Sequence, residues 1–456
     1  MRHQLIQSGA RTSVAEASVT ETGLVRVIGV RGLAANTLNN MVGSGIFVLP
    51  AVIAATLGAA AIIAYVICAI AAGLIALVFA EAGSRVSAPG GTYAYIETAF
   101  GPFPGFLAGV LFWFGSQMIS SAAIATVFVG SLAALMPALG APVLRALVLI
   151  LLYVVLAALN IRGVRTGINI VETFTAAKLL PLVLLVVAGA FFVRPAHLAW
   201  TFTPTFSQIG TASLLLVFAF MGTEGALTSS GEVRDPARTV PRAVLLALIM
   251  VSVLYIALQL VAQGVLGPDL ARDQTAPLVA VAQRAFGSYG GALLVVAAAV
   301  SAFGFISGDM LATPRVLFAF GRDGFLPRKF GTVNARHHSP AIAIVAHATA
   351  CCAFAITGTF RSLVILSTVA TLLIYLACCF SSIELRRRNI HADGPPFRLR
   401  GGPTIPLLAA GVVIWMLTSA SRVEYTSVAM VLVVATVLYF IRPRRSIPLT
   451  GMAAQE

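Results

Sequence analysis

Charged residues are scarce in this sequence. Asp, Glu, Lys and Arg make up only 10% of its 456 residues, whereas a soluble domain carries roughly a quarter. Hydrophobic residues make up 59%, and the mean hydropathy is +0.96. This composition excludes a soluble globular protein, and we expect the chain to fold in a lipid bilayer.

Cysteine and catalytic motifs are also sparse or absent. Five cysteines in 456 residues exclude a disulfide-stapled scaffold. The sequence has no HExxH motif and no GxxxxGK[ST] loop, which argues against a membrane metalloenzyme and an ATP-driven pump. We therefore expect no enzyme activity, no metal and no cofactor. The first 26 residues lack an apolar segment followed by a small-residue cleavage site, so no removable signal peptide is expected.

Basic residues are in excess, with 30 Lys and Arg against 16 Asp and Glu. They lie between long apolar runs and not on one amphipathic face, so we expect no nucleic-acid partner. With the N-terminus inside, most of them fall in loops on the cytoplasmic side, as the positive-inside rule requires. This predicts a multi-pass protein of the cell membrane with cytoplasmic tails at 1–26 and 442–456.

A membrane-spanning helix needs about 20 mostly apolar residues. The sequence predicts twelve such spans, which are 27–57, 60–84, 104–136, 142–161, 168–193, 210–231, 240–265, 290–319, 339–357, 362–385, 403–419 and 425–441. The loops between them are short. We therefore predict a single all-α membrane domain over 27–441.

Two of the predicted spans contain glycine-flanked polar segments, Gly43-Ser44-Gly45 and Gly222-Thr223-Glu224-Gly225. An interrupted helix in lipid persists only where it lines a cavity or a ligand completes it. Freed N–H groups attract a carboxylate, and freed carbonyls attract an ammonium. An α-amino acid carries both groups. The alternative is that the glycines serve close helix packing.

Several motifs resemble those of the amino acid–polyamine–organocation (APC) superfamily of permeases, over about residues 27–440. They are MVGSGIFVLP at Met41–Pro50, PGGTYAY at Pro89–Tyr95, FGP at Phe100–Pro102, FTAAKLL at Phe174–Leu180, FMGTE at Phe220–Glu224, EVRDP at Glu232–Pro236, VPRA at Val240–Ala243, and the stretch Pro314–Pro327.

This resemblance implies an all-α integral membrane fold of 12 transmembrane helices. Ten of them form a 5+5 inverted repeat, LeuT-like, with repeat one at 27–193 and repeat two at 210–385. Two additional helices follow at 403–441, and helices 1 and 6 are discontinuous. The resemblance also implies alternating access and an amino acid or amine substrate.

The predicted substrate site lies at the two interruptions. We expect the carboxylate at the N–H groups of Gly43, Ser44 and Gly45, and the ammonium at the carbonyls of Asn40, Met41, Ala219 and Phe220. Gly222 belongs to the second interruption, and Phe218 and Phe220 resemble the family's gating aromatics. Polar residues of span three are candidate lining, with interhelical hydrogen bonding as the alternative: Ser116, Gln117, Ser120 and Ser121.

Ionisable residues inside the membrane are costly and are functional candidates. By resemblance to sodium-independent members, Lys178 takes the place of a cation that braces helices one and eight, and it is a candidate for proton coupling. Glu224 is a second candidate, the alternative being a carboxylate that only props the interruption open. Asp309 is expected to face the substrate, or else to cap a distortion before Pro314.

His347 is interpreted as a hydrogen-bonded packing residue, because no acid accompanies it three or four positions away. The predicted function is secondary active transport of an amino acid or related amine, coupled to protons. The alternatives are an exchanger, a non-transporting sensor, and a sodium-coupled permease using Ser301, Ser307 and Thr313. The expected partners are the substrate, protons and the bilayer; no oligomeric state is predicted.

Overall fold

The computed structural model describes residues 28–86, 91–162, 165–227, 233–272, 276–322, 324–334, 339–391, 395–399 and 401–441. The predicted tails at 1–26 and 442–456 lie outside the described residues. Apart from one isolated bridge between Ile28 and Val233, all regular structure in these ranges is helical. This confirms the all-α prediction for the described chain.

The described residues form α-helices joined by short 3₁₀ turns. The helices are α1 (Val30–Met41), α2 (Leu49–Leu57), α3 (Ile62–Arg85), α4 (Thr92–Phe100), α5 (Pro102–Val110), α6 (Ile119–Leu135), α7 (Pro142–Arg162), α8 (Arg165–Gly189), α9 (Phe206–Leu216), α10 (Thr223–Leu227), α11 (Pro236–Leu266), α12 (Pro277–Ala312), α13 (Pro314–Arg322), α14 (Ala341–Thr357), α15 (Phe360–Arg387), α16 (Thr404–Leu417) and α17 (Arg422–Ile441).

Eight helical stretches of the described chain are long and apolar enough to cross a membrane. They are Leu49–Arg85, Pro102–Leu135, Pro142–Arg162, Phe206–Leu227, Pro236–Ala271, Pro277–Gly321, Phe360–Arg387 and Arg422–Ile441. Three shorter apolar helices accompany them, at Ala176–Phe192, Ala341–Thr357 and Thr404–Leu417. The chain is thus a polytopic helical membrane protein, and the count of twelve spans stays a prediction.

The backbone leaves α-helical geometry near both glycine-rich segments. After α1, Gly43 is extended (φ −81°, ψ −170°), and a 3₁₀ turn at Ser44–Phe47 leads into α2. After α9, a 3₁₀ turn at Val217–Phe220 is followed by Gly222 at φ +118°, just before α10 begins. Both interruptions are buried in the largest hydrophobic core.

A π-helical segment, Leu111–Met118, joins α5 to α6. The sequence predicts a continuous span over 104–136 and gives no sign of this change in helix type. π-Helical turns are rare and occur frequently at functional sites. The segment packs against α15, where a Cβ on Gly115 would lie 2.4 Å from the Ala370 Cβ. Glycine at 115 therefore allows this close approach.

Candidate substrate-binding site

The two interruptions meet at Gly222. A Cβ at this position would lie 2.6 Å from both the carbonyl carbon and the oxygen of Asn40, and 2.8 Å from the Met41 nitrogen. Residue 222 also has φ +118°, which L side chains rarely adopt. Both the backbone conformation and the contact with the end of α1 therefore require glycine.

Three side chains from other helices hold the end of α1. The Lys178 amine donates to the Asn39 carbonyl at 2.6 Å, and the Tyr255 hydroxyl donates to the Met41 carbonyl at 3.0 Å. The Ser301 hydroxyl donates to the Val42 carbonyl at 3.4 Å. Carbonyls left without helical partners are thereby satisfied by α8, α11 and α12. Of these donors, the sequence pointed to this role only for Lys178.

A buried cavity of about 20 Å³ lies at the junction of the interruptions. A cavity of this volume holds about one water molecule. Binding of an amino acid therefore requires the cavity to open. Its lining residues are Asn40, Met41, Gly43, Gly45, Ile46, Gln117, Ser120, Ile124, Phe218, Ala219, Met221, Gly222, Glu224 and Phe305.

Most of the predicted site residues come together in this cavity, but five do not: Ser116, Ser121, Lys178, Phe220 and Asp309. Phe220 packs against Tyr255 with ring centroids 5.4 Å apart. Lys178 lies behind α1, bound to the Asn39 carbonyl. Asp309 points toward α14 and is discussed below. The side chain of Ser44 lies outside the described residues.

The sequence did not identify the apolar walls of the cavity. Ile46, Ile124, Met221 and Phe305 line it, but the spans that carry them contain many other apolar residues. Helical periodicity cannot separate a lipid-facing from a cavity-facing side when all sides are hydrophobic. Only packing between helices reveals these positions.

Glu224 is a buried carboxylate at the start of α10. Its Oε2 accepts a hydrogen bond from the Gly222 N–H at 3.0 Å and one from the Tyr375 hydroxyl at 2.6 Å. The first bond fixes the interruption, and the second ties it to α15. Because Glu224 also lines the cavity, it connects the backbone at Gly222 and the helix α15 to the cavity.

The direction of the hydrogen bonds made by Ser120 and Ser367 can be assigned. Ser367 donates to the Ser116 carbonyl at 3.0 Å and lies 2.6 Å from the Ser120 hydroxyl. A hydroxyl has one hydrogen, so Ser120 must be the donor in the second contact. Ser120 is therefore left with acceptor capacity, which suits an ammonium or another donor in the cavity.

Some of the carbonyls predicted to bind the ammonium already accept hydrogen bonds, and others do not. The Met41 carbonyl accepts from both Gly43 N–H (2.9 Å) and Tyr255, which uses both of its lone pairs. Within the described chain, the carbonyls of Ala219 and Phe220 accept no hydrogen bond. Of these two, only Ala219 lines the cavity. Fewer carbonyls are therefore available to bind the ammonium than the sequence indicated.

Asp309 belongs to a hydrogen-bonded chain outside the cavity. Its Oδ2 lies 2.8 Å from His347 Nε2, and its Oδ1 accepts from the Thr313 hydroxyl at 2.5 Å. Trp113 Nε1 donates to His347 Nδ1 at 3.2 Å. The expectation that Asp309 faces the substrate is not met in this structure, because its position on α12 turns it toward α14. His347 has an acid partner from another helix.

A second cavity, of about 220 Å³, lies next to the first and is mostly apolar. It is lined by residues of the first 3₁₀ turn, α6 and α12, together with Phe360. The Phe360 ring meets Phe218 edge to face, with centroids 6.4 Å apart. Phe218 lines the first, inner cavity and Phe360 the second, outer one, so this aromatic pair connects the walls of the two.

The fold and the site define a polytopic helical membrane protein with a small, mostly apolar cavity where the two glycine-rich segments meet. The chain belongs to the amino acid permease family, which it matches over residues 28–449, and so to the APC superfamily. This confirms the resemblance found in the sequence. The family consists of permeases, in line with the expectation of a transporter and not an enzyme.

Individual relatives cover almost the whole chain. It is 27% identical over 450 residues to the methylthioribose transporter of Bacillus subtilis (92% of this chain, 94% of that one). It is 24% identical over 448 residues to the branched-chain amino acid permease BcaP of Bacillus subtilis (93% and 94%). An uncharacterized transporter of Mycobacterium tuberculosis is 30% identical over 386 residues (84% of each).

Proposed function

We propose that the protein is a secondary active transporter that carries a neutral amino acid with an apolar side chain across the cell membrane, coupled to protons. The observation that carries this proposal is the meeting of two helix interruptions at an apolar-walled cavity. In this proposal the two interruptions lie in spans 1 and 6 of a 5+5 inverted repeat, and these two spans are discontinuous. Alternating access then opens the cavity to each side in turn.

The interruptions supply groups for both ends of an amino acid. The first N–H groups of the Ser44–Phe47 turn have no intrahelical partner, and such a helix start favours a carboxylate. On the opposite side, the Ala219 carbonyl and the Ser120 hydroxyl are acceptors suited to an ammonium. Gly43 and Gly45 leave room there, because a Cβ would lie 3.0 Å from Ile124 or 3.2 Å from Phe218.

The cavity walls favour an apolar substrate side chain. Ile46, Ile124 and Phe305 line it, and Asp309, which would favour a basic substrate, faces away. Glu224 is the acid in the lining, and it is already bound to Gly222 and Tyr375. The branched-chain specificity in the name of the BcaP relative agrees with this class of substrate.

Proton coupling is proposed on Lys178 and Glu224. Both are buried, and no carboxylate of the described chain lies within ion-pair distance of the Lys178 amine. A sodium site on α12 receives less support. Ser301 donates to Val42 and Thr313 to Asp309, and these two residues lie about 18 Å apart along a helix.

The proposal is tested by uptake into proteoliposomes in sodium-free buffer, with and without an inward proton gradient. Labelled leucine, isoleucine, arginine and methylthioribose are compared. We expect the gradient to drive accumulation of leucine or isoleucine above the external concentration. Arginine should be taken up at least about tenfold more slowly, because the cavity would bury its charge without an acid partner, which costs several kcal/mol.

Three results would contradict this proposal. Leucine flux that requires amino acid inside the vesicles would make the protein an exchanger. Flux that appears only with sodium would overturn the role of Lys178. Accumulation of methylthioribose but no amino acid would overturn the substrate class. Protein-free vesicles and the Gly43→Val variant serve as controls for leak.

A further inference from the structure

A chain of four hydrogen-bonded side chains, three buried and one, Trp113, half-buried, lies away from the substrate cavity. It runs from Trp113 through His347 and Asp309 to Thr313, with contacts of 3.2, 2.8 and 2.5 Å. It joins the π-helical segment, α14 and the end of α12. His347 and Asp309 are both buried, and none of the four lines the cavity. A buried ionisable pair inside a membrane is costly and calls for a role.

Trp113 fixes the protonation of the imidazole. The indole N–H is a donor only, so His347 Nδ1 must accept, and it carries no proton. A neutral imidazole then carries its proton on Nε2, which donates to Asp309 Oδ2. In this conformation His347 is therefore the neutral Nε2–H tautomer, and a second proton on Nδ1 is blocked by Trp113.

The same contact argues against a metal site. Asp309, His347 and Cys351 each offer a ligand atom, and these atoms lie within 4.8 Å of one another. A metal on His347 Nε2 would require that nitrogen to be unprotonated. The Trp113 contact at Nδ1 requires it to be protonated. The cluster is thus arranged to hold a proton.

The π-helical segment connects this chain to the cavity. Trp113 and the cavity residue Gln117 both lie in Leu111–Met118. Close packing of Gly115 on Ala370 restricts sideways movement of the segment. A change of the segment from π-helical to α-helical geometry would instead rotate the residues before the change relative to the residues after it. Movement at Gln117 on substrate binding would therefore change the position of Trp113.

In the described part of the chain, other titratable groups near the pair are few. Cys351 lies 3.5 Å from His347 Nε2, and Tyr153 of α7 lies near Cys351 and Asp309, with its hydroxyl 3.4 Å from Ser121. The charged groups on the packed elements bind elsewhere or are exposed: Lys178 bonds to Asn39, Arg145 to the Ala355 carbonyl and Arg315 to the Leu311 carbonyl, while Arg162, Arg328 and Lys329 are exposed.

We infer that His347 and Asp309 form a second proton-binding site, separate from the substrate cavity and controlled by Trp113. When Trp113 moves away, His347 Nδ1 takes one proton and becomes an imidazolium, whose charge the adjacent Asp309 carboxylate balances. When Trp113 returns, this proton leaves. The transport role of this site rests on the proposed function, whereas the protonation switch itself does not.

The switch is tested by ¹⁵N NMR of histidine-labelled protein in lipid nanodiscs, with His347→Gln used to assign the signal. We expect wild-type His347 at pH 7 to be the neutral Nε2–H tautomer. In Trp113→Phe, which lacks the N–H, the imidazolium signal should appear at a pH higher by about half to one unit, equivalent to one hydrogen bond. Trp415→Phe, on α16, is the matched control and should leave it unchanged.

The transport role is tested by the pH profile of leucine uptake. Glutamine offers an NH₂ donor group and a carbonyl acceptor and so can reproduce the donor and acceptor of the neutral imidazole, which preserves both contacts of His347. We expect His347→Gln to keep uptake at pH 7.5 within about threefold of wild type, since no buried group is left unpaired. Acid pH should stimulate leucine uptake by this variant less than it stimulates uptake by wild type.

An Nδ1–H tautomer in wild type, or an unchanged titration in Trp113→Phe, would overturn the switch. A His347→Gln profile that superimposes on wild type would overturn the transport role. If wild-type protein transports nothing, the proposed function fails, and the NMR titration still decides whether this site exists.

Discussion

At the scale of single residues, Gly222 is the most constrained position of the site. Its φ is +118°, and a Cβ would lie 2.6 Å from the Asn40 carbonyl. We predict that Gly222→Ala reduces uptake at least about tenfold, because the two interruptions can no longer meet and a shift of even 1 Å at a site is costly. Initial rates of leucine uptake in proteoliposomes measure this loss.

Gly411→Ala is the matched control for this prediction. A Cβ at 411 meets nothing within 4 Å, and the residue lies inside the regular helix α16. Its uptake should equal that of wild type, and its thermal stability in detergent should be equal or slightly higher, because alanine favours a helix interior over glycine by roughly 0.5–1 kcal/mol. Normal uptake by Gly222→Ala would show that the contact between the interruptions is not needed for transport.

Residues differ in how far the sequence alone could place them. Glu224 stands out because an ionisable residue is rare in the middle of a span, and the glycines stand out because they flank polar residues at two separate places. Asp309 stands out equally, yet its partners are on α12 itself and on α14, and no spacing along the chain shows this. The acid partner of His347 could not be predicted for the same reason, because Asp309 lies on a different helix, 38 residues away in the sequence.

At the scale of helices, a buried ion cluster joins α3 to α15. Glu81 accepts from Arg85 at 2.9 Å and from Arg386 at 2.8 Å, and its side chain is fully buried. Arg85 and Arg386 also donate to the carbonyls of Ile390 and Leu399. The cluster therefore fixes the segment after α15 against the end of α3.

We predict that Glu81→Ala destabilises the protein strongly, because it leaves two guanidinium groups without their acid partner. Breaking a buried ion pair in this way costs about 3–5 kcal/mol. Thermal unfolding in detergent measures the effect. As a control, Asp269→Ala breaks an exposed pair with Arg272, where about 0–1 kcal/mol is expected. Equal losses in the two variants would contradict the structural role of Glu81.

The helix interruptions and the π-helical segment differ in predictability. Glycines that flank polar residues mark both interruptions, because glycine is a poor helix former in the middle of a span. The π-helical segment has no such mark, since LFWFGSQM reads as an ordinary apolar helix. It is stabilised by packing on α15, a contact between distant parts of the chain.

At the scale of the whole molecule, the charge distribution predicts the orientation in the membrane. Cysteines introduced into loops test it. Ala138, in the exposed turn before α7, is predicted to lie outside, and Thr332, exposed after α13, inside. We expect an impermeant maleimide to label Ala138→Cys in intact cells and Thr332→Cys only after permeabilisation. The reverse pattern would invert the topology.

The central claim of this account is that an amino acid binds where the two helix interruptions meet. A structure with bound leucine tests it most directly. We predict the carboxylate at the N–H groups that begin the Ser44–Phe47 turn and the ammonium at the Ala219 carbonyl, in a cavity enlarged beyond its present 20 Å³ or so. Leucine bound instead in the outer cavity beside Phe360, or with its carboxylate away from this turn, would contradict the account.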